Sequence, residues 1–187
     1  MKKRISVKWM VFTAIMAAVI CIAAPLCVPI PSGVPLSLAT FAVMLSGTLL
    51  GKGKGTVAVA VYILLGLVGV PVFSGFMGGF AHITGPTGGY IIGYLPCAFL
   101  TGLFTERFGG RVWAMVTGMT LGTLSLYVVG TVWFMLYTGS GLAAVLLGCV
   151  VPFLVWDAVK ITAACAVAVP LRKKLSRLFR DSNVDLK

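Results

Sequence analysis

The sequence predicts an all-α integral membrane protein, a bundle of six transmembrane helices with both termini cytoplasmic. Its composition is 59% hydrophobic and only 10% charged, whereas soluble domains carry roughly 25% charged residues. Uncharged apolar runs of about 18 residues or more recur along the chain, and each can cross a hydrocarbon layer ~30 Å thick. The basic residues fall in short patches between those runs. Because nothing remains for a separate soluble module, we expect one membrane domain over residues 1–187.

The apolar runs place the spans, in chain order, at residues 9–28, 36–50, 55–70, 86–105, 111–137 and 141–170. The start of the first span resembles a signal peptide, but its apolar run continues to Val28 and ends in PIP, not in a small-residue cleavage site. We therefore expect a retained first helix. The second and third spans are short for straight membrane helices, which predicts an irregular bundle.

The charge distribution predicts the orientation. The connections on one side of the membrane, residues 29–37, 69–85 and 137–141, carry no charge. The opposite side holds 14 of the 15 basic residues in four patches: Lys2, Lys3, Arg4 and Lys8; Lys52 and Lys54; Arg107 and Arg111; Arg172, Lys173, Lys174, Arg177, Arg180 and Lys187. Basic loops stay in the cytoplasm, so the patches mark that side. They alternate with membrane spans and form no single basic face, which argues for contact with the lipid bilayer and against nucleic acid.

One acidic and one basic residue lie inside a predicted span. Asp157 and Lys160 are three residues apart in the sixth span, so a helix projects them from the same face. Asp157 lies roughly 20 Å from the basic end near Arg172, in the outer half of the membrane. Each charge in a membrane costs at least ~2.5–3.5 kcal/mol, so such residues are paired, functional, or both.

Two interpretations of this pair are open. It is either a structural bridge within the bundle or part of a polar ligand site that opens to the outer face. Trp156 and the glycine-rich outer segment favour the second interpretation, since they offer apolar walls and backbone donors for a concave pocket.

The available chemistry is recognition and not catalysis. Aspartate accepts hydrogen bonds and lysine donates them, but no nucleophile, base and orienting group occur together, so we do not expect an enzyme. GKGKGT at 51–56 lacks the spacing of a phosphate-binding loop, so we do not expect the chain to hydrolyse ATP. The five cysteines are scattered through apolar runs and predict no metal site.

The stretch GGFAHITGPTGGYIIG (78–93) interrupts the helical pattern. Seven of its sixteen residues are glycine or proline, which permit positive φ angles and close backbone approach. We expect it to fold back as a compact lid or re-entrant turn that lines a cavity, with Pro86 as the first residue of the next span. His82, the only histidine, is expected to be a surface or capping residue, and its replacement by alanine is expected to leave ligand affinity nearly unchanged.

Four segments carry a resemblance to a known family. They are VPLSLATFAVMLSGTLLGKGKG (34–55), YILLGLVGVPVFSGFMGGF (62–80), GPTGGYIIG (85–93) and the helix with Asp157 and Lys160. In this order and topology, the chain resembles BioY, the biotin-binding S component of energy-coupling-factor transporters. The resemblance covers nearly the whole chain. It implies a protein of a bacterial or archaeal cell membrane that binds biotin from outside at high affinity.

The resemblance also implies partners and site residues. The partners are a transmembrane coupling subunit, to which the small residues Ala14 and Ala18 would dock, and two ATP-binding-cassette ATPases that hydrolyse the ATP. No cofactor is implied for the chain itself. Segments 34–40 and 73–90 would close over the bicyclic ring, and the ligand-contacting residues would be Asp157, Lys160, Thr40, Phe76, Gly78, Gly79 and Tyr90. The family usually has glutamine at the position of Ala39, so no side-chain role is expected there.

Three other functions remain as alternatives. An S component for another vitamin would share the bundle and the loops. A solitary proton-coupled carrier would use Asp157 as a proton relay, although such carriers are usually longer and contain internal repeats. An intramembrane enzyme would need a catalytic set that the sequence does not show.

Overall fold

The computed structural model describes residues 7–29 and 34–181, and this part of the chain is mostly helical. The elements are α1 Val7–Ala23, β1 Cys27–Val28, β2 Leu36–Ser37, α2 Ala39–Leu67, α3 Phe80–Thr84, α4 Gly88–Arg107, α5 Val112–Thr138, α6 Leu142–Cys149 and α7 Val151–Asp181. Within the described residues, α2, α4, α5 and the part of α7 up to Leu175 are long and apolar enough to cross a membrane. The predicted class, a helical multi-pass membrane protein, is confirmed. Both chain ends, 1–6 and 182–187, lie outside the described residues.

The first helix is shorter than predicted. It ends at Ala23 instead of residue 28, because Pro25 cannot continue it. Cys27 and Val28 instead form strand β1, which pairs antiparallel with β2. The Ser37 hydroxyl donates a hydrogen bond to the Ala24 carbonyl (2.8 Å) and accepts one from the Ala39 N–H (2.9 Å). These contacts fix the end of α1 against the start of α2.

Helix α2 contains a reversal at Gly51, where φ is 80° and ψ is 178°. The Ser46 hydroxyl donates to the Gly55 carbonyl over 3.1 Å, although nine residues of straight helix would separate these positions by ~13.5 Å. The arms 39–50 and 52–67 therefore lie side by side, as a helical hairpin. They correspond to the second and third predicted spans, with the turn reduced to one glycine that adopts a positive φ.

The sixth predicted span, 141–170, is wrong in detail. It consists of α6 and α7, separated at Val150 (φ −122°, ψ −54°). The physical reason is Pro152, which has no N–H and whose ring clashes with the carbonyl four residues earlier, at Gly148. Helix α7 then continues past the predicted end to Asp181, with Pro170 inside it.

The remaining long helices match their predicted limits within two residues. Helix α4 begins at Gly88 after Thr87. Pro86 therefore precedes the helix, whereas it was predicted to be the first helical residue. Helix α4 packs between α2 and α5, and glycines permit the close contact. A Cβ on Gly47 would lie 2.5 Å from the Ala98 carbonyl oxygen, and one on Gly122 would lie 2.7 Å from that of Cys97.

Candidate functional site

Asp157 and Lys160 form a buried ion pair on α7. The two residues are 3% and 8% exposed, and Lys160 Nζ lies 3.1 Å from Asp157 Oδ1. The predicted placement on one helix face is confirmed.

Two hydroxyl groups from other helices complete the polar cluster. Lys160 Nζ donates to Thr40 Oγ1 on α2 over 3.0 Å. The Tyr127 hydroxyl on α5 donates a short hydrogen bond to Asp157 Oδ2. Each carboxylate oxygen of Asp157 thus receives a donor, which is the condition under which a buried charge is tolerated. The four side chains, Thr40, Tyr127, Asp157 and Lys160, are called the polar tetrad below.

The polar tetrad lines a small, partly open cavity of about 40 Å³. Four of the twelve lining residues are aromatic, and the full set is Val34, Pro35, Ser37, Thr40, Tyr90, Tyr94, Leu126, Tyr127, Cys149, Phe153, Asp157 and Lys160. Apolar and aromatic walls with a few convergent polar groups are typical of a small-molecule site. Such sites usually measure ~300–1,000 Å³, so this cavity is smaller than a typical ligand site.

An open groove of about 830 Å³ adjoins the cavity. Its lining residues are Pro25, Leu26, Cys27, Val28, Leu36, Ser37, Leu38, Phe41, Phe76, Trp156, Val159, Lys160 and Ala163. Ser37 and Lys160 belong to both spaces, so they separate the cavity from the groove. Trp156, predicted to be a pocket wall, lines the groove instead and is 54% exposed.

The predicted site residues divide into three groups. Thr40, Tyr90, Asp157 and Lys160 share the cavity. Phe76 lines the groove, is 65% exposed and has a positive φ of 60°.

Gly78 and Gly79 line neither space, contrary to the predicted placement. A Cβ on Gly78 would lie 2.5 Å from the Val70 carbonyl oxygen. Gly79 has a φ of 94°, and its N–H donates to the Gly66 carbonyl over 2.7 Å. Both glycines shape the turn before α3, because only a residue without a side chain fits these backbone positions. The binding roles of all seven residues stay predictions.

His82 lies in α3 and does not line the cavity. Its ring stacks on that of Phe73 with centroids 5.4 Å apart, and Nε2 lies 3.5 Å from Thr87 Oγ1. Burial lowers the pKa of the imidazole. These contacts describe a residue that packs the loop together. Among residues 7–29 and 34–181, no group of three or more His, Cys, Asp or Glu side chains is arranged to hold a metal ion.

Five of the twelve residues that line the cavity were not predicted from the sequence. Tyr127 was not predicted, and neither were Tyr94, Cys149 and Phe153. One signal was available on α4, because Tyr90 and Tyr94 are four residues apart and share a helix face.

Two buried hydroxyl groups near the cavity make no hydrogen bond among the described residues. They belong to Tyr90, whose ring lines the cavity, and to Thr131 on α5. The Tyr90 ring packs against Gly130, where an added Cβ would lie 2.3 Å from it. Buried hydroxyls of this kind normally bond to water or to a ligand.

The predicted docking residues Ala14 and Ala18 are both exposed on α1. The opposite face of α1 is buried against the bundle through Met16, Ala17 and Ile20. The two alanines therefore form a surface that a further helix can approach closely.

Comparison with known proteins places the chain in a family. The sequence model of the BioY family matches residues 1–177. The biotin transporter BioY of Thermotoga maritima is 39% identical over 140 residues, which are 75% of this chain and 82% of that protein. The probable biotin transporter BioY of Pyrococcus horikoshii is 41% identical over 139 residues, 74% of this chain and 81% of that one.

A solved structure agrees with this result. The crystal structure of the S component for biotin from an ECF-type ABC transporter superposes with a TM-score of 0.82 and 31% sequence identity. The match covers 92% of this chain and 95% of that one. The resemblance that the sequence motifs carry is thereby confirmed: the chain belongs to the BioY family.

Proposed function

We propose that this chain binds biotin with high affinity at the outer membrane face and acts as the substrate-specific S component of an ECF-type ABC transporter. The observation that carries the proposal is the polar tetrad inside a cavity with four aromatic lining residues. The names of the relatives, and the solved S component for biotin, support the identity of the ligand. Membership of a family of transporter components supports a transport role and not an enzymatic one.

The tetrad matches the polar groups of biotin. A ureido ring offers two N–H donors and one carbonyl acceptor, and the side chain ends in a carboxylate. Asp157 can accept from an N–H group, while Lys160 and Thr40 can donate to a carbonyl or carboxylate oxygen. The aromatic walls suit the apolar faces of the fused rings.

Binding requires the cavity to open. A volume of about 40 Å³ holds one or two water molecules, so a bicyclic ligand needs more room. Segment 34–40 contributes Val34, Pro35, Ser37 and Thr40 to the lining, and it is the segment that would move aside and then close over the ring. Segment 73–90 contributes Tyr90 to the cavity and Phe76 to the groove.

The structure also supports the proposed orientation. When the two arms of α2 are counted separately, α1, α2, α4, α5 and α7 provide six helical segments, as many as the proposed six crossings require. Three basic patches meet at one end of the described bundle. Arg172 Nη1 donates to the Thr48 carbonyl over 2.9 Å, and its guanidinium packs against Gly110. This end is the cytoplasmic one by the positive-inside rule.

The partner proposal follows the family. A transmembrane coupling subunit would dock on the surface of α1 at Ala14 and Ala18, which is exposed, and two ABC ATPases would hydrolyse ATP. The chain itself would bind no cofactor.

Equilibrium binding of biotin to the purified protein in detergent tests the ligand. We expect saturable binding well below micromolar biotin, and no binding of riboflavin or thiamine at the same concentration. A protein that fails to bind biotin at micromolar concentration but binds another vitamin is an S component of different specificity. Uptake of labelled biotin with and without the ATPase module then separates the coupled transporter from a solitary carrier.

A further inference from the structure

The loop between α4 and α5 forms an open surface depression, at the end of the bundle opposite the polar tetrad. This depression measures about 510 Å³ and is lined by Arg107, Phe108, Gly109 and Arg111. Arg107 ends α4, and Arg111 immediately precedes α5. Gly109 and Gly110 have φ angles of 64° and 71°, and this backbone turns tightly enough to bring the two arginines to one site.

Neither guanidinium group forms an ion pair with a described carboxylate. Only two acidic side chains, Glu106 and Asp157, are described. Asp157 is engaged in the polar tetrad. The Glu106 carboxylate rests against the α2 reversal, since a Cβ on Gly51 would lie 1.9 Å from Glu106 Oε1. Among the described side chains, the positive charge of this site is therefore uncompensated, which favours an anionic ligand.

Other features of the loop fit a phosphate group. The N–H groups of Ala114 and Met115 donate to the Arg111 carbonyl. Those of Val112 and Trp113 have no partner within the helix, and Arg111 provides no side-chain cap. The start of a 27-residue helix adds a partial positive charge beside the arginines. Guanidinium groups bind phosphate oxygens in a bidentate manner.

The apolar surroundings indicate a ligand with hydrocarbon chains. Phe108 and Trp113 stack with ring centroids 4.8 Å apart, and Trp113 is 50% exposed. Val112 and Val116 are exposed on the same end of α5. Tryptophan beside arginine at the end of a membrane span is typical of the lipid headgroup level.

We propose that the loop 107–113 is a binding site for the headgroup of an anionic phospholipid. Arg107 and Arg111 hold the phosphate, and the acyl chains lie along Trp113 and the exposed valines of α5. In the proposed orientation the lipid belongs to the cytoplasmic leaflet. The site is independent of biotin binding.

Native mass spectrometry of the detergent-solubilised protein tests the site, with phosphatidylglycerol and phosphatidylcholine as probes. We expect the wild-type protein to retain phosphatidylglycerol in preference to phosphatidylcholine. The combined substitution Arg107→Gln and Arg111→Gln should weaken phosphatidylglycerol binding roughly 10- to 30-fold, the product of about fivefold for each basic residue near a headgroup. The corresponding lysine variants should recover part of the loss, because lysine keeps the charge but not the bidentate geometry.

A matched control removes the same charge at the same end of the bundle. Lys52 and Lys174 are exposed there, and replacing both by glutamine should change phosphatidylglycerol binding less than about twofold. An equal loss in this control would mean that lipid attraction is spread over all basic residues, and it would overturn the proposal. Displacement of the lipid by an equal concentration of inorganic phosphate would show a free-anion site instead. If the double variant does not fold, phosphatidylglycerol binding is measured on the single variants Arg107→Gln and Arg111→Gln instead.

Discussion

Replacing Lys160 by methionine tests whether the buried pair serves the ligand or the bundle. The substitution removes the hydrogen bonds from Nζ to Asp157 (3.1 Å) and to Thr40 (3.0 Å). Asp157 is 3% exposed, so its carboxylate stays buried with Tyr127 as its remaining donor among the described residues. Breaking a buried ion pair by removing one partner costs about 3–5 kcal/mol. We expect a loss of folding stability in that range.

The double variant Asp157→Asn, Lys160→Met separates stability from binding. It leaves no buried charge, and the asparagine side chain can still accept the hydrogen bond from Tyr127. Replacing both members of a buried pair is often neutral, so we expect its stability to return to within about 1 kcal/mol of the wild type. Biotin affinity should not return, since each charged hydrogen bond to the ligand contributes about 1.5–3 kcal/mol.

Two measurements on the same samples decide the question. Thermal unfolding in detergent, followed by tryptophan fluorescence, reports stability, and equilibrium dialysis with labelled biotin reports affinity. The control is the substitution Lys174→Met, at an exposed lysine of α7. It should change neither the folding stability nor the free energy of biotin binding by more than about 0.5 kcal/mol. If the double variant is stable and binds biotin as tightly as the wild type, the pair is a structural bridge and the ligand assignment is refuted. If it is as unstable as Lys160→Met alone, the reasoning from the buried charge fails.

Three further substitutions test particular contacts. Gly130→Ala places a Cβ 2.3 Å from the Tyr90 ring, so we expect overpacking to weaken biotin binding by about 1–3 kcal/mol in the dialysis assay. Gly51→Ala combines a φ of 80° with a Cβ 1.9 Å from Glu106 Oε1, and it should lower thermal stability by at least about 1–2 kcal/mol. Burial lowers the pKa of His82 below 6.5, so the folded state binds its proton less tightly than the unfolded state, and stability should fall as the pH drops through and below about 6.5. His82→Ala should flatten this pH dependence and leave biotin affinity at neutral pH nearly unchanged.

Each of these tests has an outcome that contradicts it. Gly53→Ala, where an added Cβ meets nothing within 4 Å, is the control for both glycine variants and should leave biotin binding intact. If Gly130→Ala binds biotin with wild-type affinity, the position of the Tyr90 ring does not affect biotin binding. Unchanged stability in Gly51→Ala would mean that the reversal tolerates a side chain. A tenfold loss of affinity in His82→Ala would make this histidine part of the site.

Much of the architecture could be predicted from local patterns. Apolar runs between basic patches identified a multi-pass membrane protein, because hydropathy and length alone decide which segments can cross a bilayer. The same patterns located α4 and α5 within two residues of their ends. They failed where a single proline acts on the backbone, at Pro25 and Pro152. Each of these residues was visible in the sequence, but its effect depends on the helix around it.

Only part of the candidate site could be predicted from the sequence. Asp157 and Lys160 were found because charges are rare in membrane spans and because a spacing of three residues fixes a shared helix face. Tyr127 was not found, since a tyrosine in an apolar span carries no such signal. Gly78 and Gly79 line neither the cavity nor the groove, and glycines that shape a turn look the same in sequence as glycines that admit a ligand.

By itself, then, the sequence determined the membrane class, the charged pair and the family, each through composition, spacing or motifs within one segment. The tertiary structure alone decided which side chains meet that pair. Tyr127 and Asp157 are 30 residues apart, and Thr40 and Lys160 are 120 apart. Such contacts arise from the way α2, α5 and α7 pack against one another. Helix packing depends on close fit between whole surfaces, and no single segment of the chain contains that information.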